Sequence, residues 1–354
     1  MDANTLSRLQ EFEKDKKFYD ALQFYRTKVT RSFRLKNADE VAIPLVKHAL
    51  DFFLGENQYQ CAVDITTQFA ECLSKNNSEL SREAFEVLAD SVAEFAKRAE
   101  HEHEDGNEQQ EQLLYAARCK IVDLAIQWTK QKSSNAQEKK YGAAAFHGRL
   151  AAAFDSVKHT ELARNHYLLS DDANGFAKFL KAYKQNYELV IVEAVLQILC
   201  LDRFPFAVAL FNAYVAPAKL PFDIPLLNFQ FIMFDVIETE NKAQFVELTE
   251  SYSSEFARNP AFVGYLMRIG KLYFAIRDNQ CMNMGLGGIL GNLFGGQKEE
   301  EVATSHRTAR TPVRQQPAPS APSSAGFPPF FAPPPAVVAP PPKPKQSEVE
   351  EDLD

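Results

Sequence analysis

Apolar and polar positions along residues 18–37, FYDALQFYRTKVTRSFRLKN, recur with the period of an amphipathic helix. Phe18, Ala21, Leu22, Tyr25, Val29 and Phe33 fall on one stripe, while Asp20, Gln23, Thr27, Arg31 and Arg34 fall opposite it. Arg26 and Lys28 flank the stripe. Upstream, Leu6, Leu9 and Phe12 predict a short helix that ends in the charged turn 13–17. Downstream, Ala38-Asp39 opens a helix over 41–54, and Gly55 is the expected stop. Helices over 59–73, 80–98 and 113–128 follow, with a loop at 76–78. The run 100–108, EHEHEDGNE, interrupts the period and reads as a solvated loop. Alternating His and carboxylates in a flexible run fix no coordination geometry, so no metal is expected.

The second half continues in kind after a polar loop at 130–140. Helices are predicted over 141–157 and 162–169, then from a cap at Asp171-Asp172 through Tyr183. Residues 187–201 are apolar nearly all round and read as a buried central helix, too long for a strand. After 204–215, Pro217, Pro221 and Pro225 keep 216–225 out of regular helix. Helices over 226–239, 245–256 and 262–276 complete the series, with Pro260 suited to a first turn. No strand ladder emerges. Helix after helix joined by short loops describes a bundle or a solenoid, and without a sharp 34-residue repeat signature, degenerate antiparallel helix pairs in an α-solenoid fit best.

Composition sharpens the boundaries. Of 19 prolines, 13 lie at or after Pro312, and of 14 glycines, 6 lie between Gly285 and Gly296, so the remainder is poor in helix breakers. A tail, 297–354, is expected to be disordered, and the helical part before it is taken as two halves of the solenoid, 1–140 and 141–296, divided after the polar loop at 130–140. The tail carries FPPFFAPPPAVVAPPPKPK and ends SEVEEDLD, which suits a spacer or a ligand for a proline-recognising module. Removing the residues after Gln297 should therefore leave the melting temperature nearly unchanged; a drop of many degrees would mean that the tail packs on the helices. Five single cysteines, no apolar leader and no apolar run of ~20 residues point to a soluble cytosolic protein with reduced thiols.

Chemistry is sparse. Gly285 to Gly291 fails the nucleotide-loop spacing, because Leu290 stands where glycine is needed and no Lys-Ser or Lys-Thr follows. Leu286, Ile289, Leu290, Leu293 and Phe294 instead make a short apolar helical face, suited to capping the solenoid end or filling a partner's groove. No HExxH or GxSxG occurs, and no enzyme, catalytic residue or cofactor is expected. Net charge is −8, yet Arg26, Lys28, Arg31, Arg34 and Lys36 follow one another with no acid between. That stretch is either a solvated face or a dock for an acidic partner; the overall acidity speaks against nucleic acid. With only 5 Met, the chain lacks the adaptable groove that a hydrophobic client helix needs, and no direct membrane insertion is expected.

Several words resemble one family. They are Tyr19-Asp20-Ala21-Leu22-Gln23-Phe24-Tyr25-Arg26-Thr27 with Arg31, His48-Ala49-Leu50-Asp51-Phe52-Phe53, and Ala62-Val63-Asp64. Further on come EAVLQILCL at 193–201, PLLNF at 225–229, YLMRIGKLYF at 265–274 and GGILGNL at 287–293. Together, in this order, they resemble the Golgi-to-ER traffic protein 4 family, a cytosolic scaffold of tail-anchored protein targeting. The resemblance implies a right-handed α-solenoid, TPR-like, whose N-terminal half docks the targeting ATPase and whose C-terminal half grips a ubiquitin-like subunit, with room for a further chaperone subunit. By motif match Arg26, Arg31, Arg34 and Asp64 would face the ATPase; the chain departs from the family in having Leu22 where His is frequent. Phe222, Leu226, Leu227 and Phe229, an apolar cluster beside the proline-broken loop, are expected either to seat the ubiquitin-like subunit or, for the last three, to belong to the core. The rival is a helical-repeat scaffold of another assembly.

Overall fold

The computed structural model describes residues 3–183, 186–217 and 220–276. The chain divides into two units, Met1–Lys298 and Glu299–Asp354, and the described residues all belong to the first. The apolar face at 286–294, Cys281 and the 297–354 tail lie outside them.

Sixteen helices and no strand are found among the described residues. They begin α1 Ala3–Lys14, α2 Phe18–Arg34, α3 Ala38–Gly55, α4 Tyr59–Lys75, α5 Arg82–Glu104, α6 Glu108–Lys132, α7 Ala136–Tyr141 and α8 Ala144–Ser156. They continue α9 Thr160–Tyr167, α10 Ala173–Lys181, α11 Tyr187–Cys200, α12 Phe204–Val215, α13 Pro225–Glu238, α14 Lys242–Ser251, α15 Ser253–Phe256 and α16 Ala261–Phe274. Several helices pack both on their successor and on the next but one, as α2 on α3 and α4, α3 on α4 and α5, α4 on α5 and α6, α10 on α11 and α12, and α11 on α12 and α13, while α5 packs on α6 and α8. This two-row stacking of antiparallel neighbours is the α-solenoid that the period predicts. No described helix is long and apolar enough to cross a membrane.

One turn recurs eight times among the described residues. After α1, α2, α3, α4, α5, α8, α11 and α13 the second residue past the helix is left-handed: Lys16, Lys36, Asn57, Asn77, Gly106, Lys158, Asp202 and Glu240. The next amide then donates to the carbonyl five residues back, as in Gln58 N to Phe53 O at 2.7 Å and Asn107 N to Glu102 O at 2.8 Å. This is a Schellman closure, which satisfies an orphan helix carbonyl and reverses the chain within three residues.

Two predicted loops are helical. α5 runs on through the acidic run to Glu104, with only Asp105, Gly106 and Asn107 as turn. Glu102 is buried there, accepting from Tyr59 Oη at 2.8 Å and Asn107 Nδ2 at 2.7 Å, while His101 pairs with Asp105 and His103 with Glu111. The 130–140 loop contains α7, started by Asn135, whose side chain accepts from Gln137 N at 2.8 Å.

Two histidines meet where α8 packs on α9. His147 Nε2 donates to the Tyr141 carbonyl at 3.0 Å, which leaves its Nδ1 as the acceptor for His166 Nδ1–H at 2.9 Å. The His166 ring stacks on Phe154 and His147, with part of its edge reaching the surface. Burial lowers the His147 pKa to about 4, with Arg203 and Lys130 adding to the effect against the Tyr141 bond, and burial beside His147 holds His166 well below its ordinary value. Both folded values lie below the unfolded one of ~6.5, so the unfolded chain binds more protons between them. Stability is therefore full above pH ~6.5 and falls as pH drops toward 4. His147 alone should cost about 2–3 kcal/mol by pH 4.5. Melting curves from pH 7 to 4.5 should show this slope, and His166→Phe should reduce it; a slope unaltered in the variant would assign it to carboxylates.

Candidate docking surfaces

The basic face is held by α2 on three sides. Its inner stripe packs on α3, where Tyr25 Oη lies 2.7 Å from His48 Nδ1 and the Tyr25 ring meets Phe53 edge-on at 5.8 Å. Gln68 of α4 donates to Arg26 O at 3.1 Å and to Thr30 Oγ1 at 2.7 Å. On the third side Lys28 donates to Thr5 Oγ1 of α1 at 3.0 Å and lies over the Phe24 ring at 5.4 Å.

The five basic residues thus divide by role. Lys28 pins α1, and Lys36 makes the left-handed turn. Arg31 and Arg34 are exposed and Arg26 half-buried, and none of the three guanidinium groups has an ion-pair partner among the described residues. Asp64 is half-buried on α4, one turn before Gln68, and accepts from Gln60 Nε2 at 3.0 Å. Asp64 thus stands on the helix that packs on α2 and bonds the Arg26 carbonyl through Gln68. Sequence reasoning passed over Tyr19, which is 72% exposed and lies on the line of Arg26 and Arg34. The signal was available, since a large aromatic on the polar side of a helical wheel has no core to enter.

The C-terminal surface is built around the proline loop. Asn228 staples it: its Oδ1 accepts from Phe222 N at 2.9 Å and its Nδ2 donates to Phe222 O at 2.6 Å. Phe222 is half-buried and packs edge-on against Phe211 at 5.9 Å. It lines a cleft of about 600 Å³ with Tyr183, Tyr187, Tyr214, Ile224 and Leu227; Lys181 and Asp223 stand at the margin. Tyr214 Oη donates to Tyr187 O at 3.1 Å, and burial pushes the phenol of Tyr214 to about 12.

Of the four residues expected around this loop, the structure buries three. Leu226 and Phe229 are fully inside α13's core side, and Leu227 keeps only the edge that floors the cleft. Phe229 is locked between Tyr252 and Phe256. On the outer side of α13, Phe231 and Ile232 are 41% and 40% exposed, and sequence reasoning missed both. A helix that is apolar all round does not reveal which side faces out.

The chain is similar in sequence to known proteins over most of its length. Residues 36–294 match the sequence model of the family described as Golgi to ER traffic protein 4; the match begins at Lys36, just past α2. A Golgi to ER traffic protein 4 homolog of Oryzias latipes is 27% identical over 309 residues, spanning 84% of this chain and 89% of its own. The Homo sapiens homolog is 27% identical over 297 residues, 80% of this chain and 84% of its own. The Dictyostelium discoideum homolog is 24% identical over 301 residues, 84% and 90% respectively. The crystal structure of C. therm. Get4 aligns at 16% identity with a TM-score of 0.42, covering 82% of this chain and all of that one. With residues 36–294 matched, most of its length, the chain belongs to the Golgi to ER traffic protein 4 family.

Proposed function

We propose that this chain is a non-enzymatic cytosolic adaptor of tail-anchored protein targeting, which holds the targeting ATPase on its N-terminal helices and a ubiquitin-like subunit on its C-terminal helices. The observation that carries this is the set of three guanidinium groups without ion-pair partners among the described residues, Arg26, Arg31 and Arg34, on α2 of a protein whose net charge is −8. Charges that serve no internal pair are available to an acidic face. The apolar surface of Phe222, Leu227, Phe231 and Ile232 lies at the other half of the chain, so two partners can be held at once. Tethering both raises their mutual effective concentration, and handover of a client from one to the other then needs no chemistry in the adaptor. The low methionine count supports a client held by the partners rather than by this chain.

The test is co-purification of the full chain with both partners. A ternary complex that elutes as one species, and that splits into ATPase-free and subunit-free complexes when either half is altered, is the expected result. Recovery of unrelated subunits with neither partner would assign the chain to another assembly.

A further inference from the structure

The line that carries Arg31 runs further than the basic face. Phe24, Lys28, Arg31 and Leu35 follow one another at spacings of four, three and four, so they lie along one flank of α2. Leu35, at the far end, is 61% exposed. Phe24 and Lys28, at the near end, are half-buried, and α1 is what covers them. Phe12 meets the Phe24 ring edge-on at 5.9 Å, and Thr5 Oγ1 accepts from Lys28 Nζ at 3.0 Å. The N-terminal helix sits on half of an apolar and basic flank and leaves the other half open.

α1 is lightly attached. Of its described side chains only Thr5 and Leu9 are buried, with Phe12 and Glu13 half-buried. Two of its contacts are also poorly matched. The guanidinium of Arg8 and the ammonium of Lys28 share the Phe24 ring, 5.2 and 5.4 Å from its centre, so like charges meet at one contact. Glu13 Oε1 is shielded from water and accepts no hydrogen bond among the described residues. His48 Nδ1 stands 3.4 Å from it but is engaged by Tyr25 Oη at 2.7 Å. A shielded carboxylate oxygen without a donor favours a state in which water reaches it. A terminal helix with few buried contacts opens locally, while the helices beneath stay folded. We propose that α1 is a displaceable strap, an intramolecular competitor of the acidic partner that docks on α2. With α1 down, the partner meets Arg31, Arg34 and Leu35. With α1 lifted, it gains the Phe24 ring and the Lys28 cation on the same line. The inference rests on the reading that α2 docks the targeting ATPase.

Two variants of the full chain move the strap in opposite directions. Leu9→Asp places a charge under α1 and lifts it. Thr5→Asp sets a carboxylate in the first turn of α1 beside Lys28 Nζ and holds the helix down. Calorimetric titration of the ATPase should show tighter binding to the Leu9→Asp chain, about 10-fold for a strap that is open one-tenth of the time. Binding to the Thr5→Asp chain should be weaker than to the unaltered chain. Hydrogen exchange followed by mass spectrometry supplies a second measure: the amides of residues 3–14 should exchange faster in the complex than in the free chain. Equal or weaker binding by a Leu9→Asp chain whose melting curve shows it folded overturns the strap. Slower exchange of α1 in the complex also overturns it, because α1 would then be part of the seat. An ATPase that does not bind the unaltered chain removes the docking reading and the strap with it, whereas one that binds all three chains alike removes this inference alone.

Discussion

Arg31→Glu combined with Arg34→Glu should abolish binding of the targeting ATPase, leave the ubiquitin-like subunit bound and leave the melting temperature unchanged. The last outcome follows from location, because both side chains are exposed and neither has an ion-pair partner among the described residues. The first follows from chemistry. A guanidinium fork bonds a carboxylate through two N–H groups, and glutamate in its place turns each attraction into repulsion. Truncating an arginine that is buried at the interface centre should cost ~2–5 kcal/mol, mostly as faster dissociation. At the rim, the same change should mainly slow association and make it sensitive to salt. Titration calorimetry at two salt concentrations separates the two cases. Lys28→Glu is the internal contrast: it should lower stability by releasing α1, since Lys28 holds Thr5 and covers Phe24. Unaltered ATPase affinity in the folded double variant would leave Arg31 and Arg34 as ordinary solvated arginines.

Most of the helices were legible in the pattern of apolar positions, though α7 was read as loop and α14 and α15 as one helix, and the helix ends were not legible. Existence follows from a period of 3.6, which Tyr25, Val29 and Phe33 or Ile65, Phe69 and Leu73 display without help. Ends depend on single residues that enter the left-handed region, where glycine is the usual signal. Here seven of the eight recurrent turns place Lys, Asn, Asp or Glu there, at some cost in local strain, and only Gly106 carries the expected residue. Gly55 is a case in point: it reads as a stop but is the last helical residue of α3, and the reversal falls on Asn57. The acidic run misled for a related reason. Charge density suggested solvent, whereas Glu102 finds Tyr59 and Asn107, contacts between residues 43 and 5 apart in sequence, and so is buried inside regular structure. At the docking surfaces the division is the same. An amphipathic helix such as α2 shows its outer face in sequence, so Arg31 and Arg34 could be placed in advance. An apolar one such as α13 does not, and burial there was decided by Tyr252, Phe256 and other residues far along the chain.

That difference shapes the second large effect, expected at α13. Phe222→Ala should cost the ubiquitin-like subunit most of its affinity, because an aromatic anchor set in a pocket typically contributes ~2 kcal/mol or more. Its backbone is fixed independently by Asn228, so the loop should keep its course when the ring is removed. Phe231→Asp, on the exposed side of the same helix, should act in the same direction by placing a charge into an apolar contact, with little change in melting temperature. Leu226→Ala is the contrasting variant. Leu226 is fully buried, so its truncation should destabilise the protein by ~2–5 kcal/mol and lower the melting temperature, with partner affinity of the folded fraction retained. Calorimetric titration of the subunit into each variant, beside its melting curve, distinguishes the cases. Loss of binding in Phe222→Ala and Phe231→Asp with normal melting places the seat on the outer face of α13 and its loop. Full binding in both folded variants would remove this face from the interface. The subunit would then have to be sought elsewhere, for example on the side of α11 and α16, where Glu193, Gln197 and Tyr265 form a half-exposed cluster.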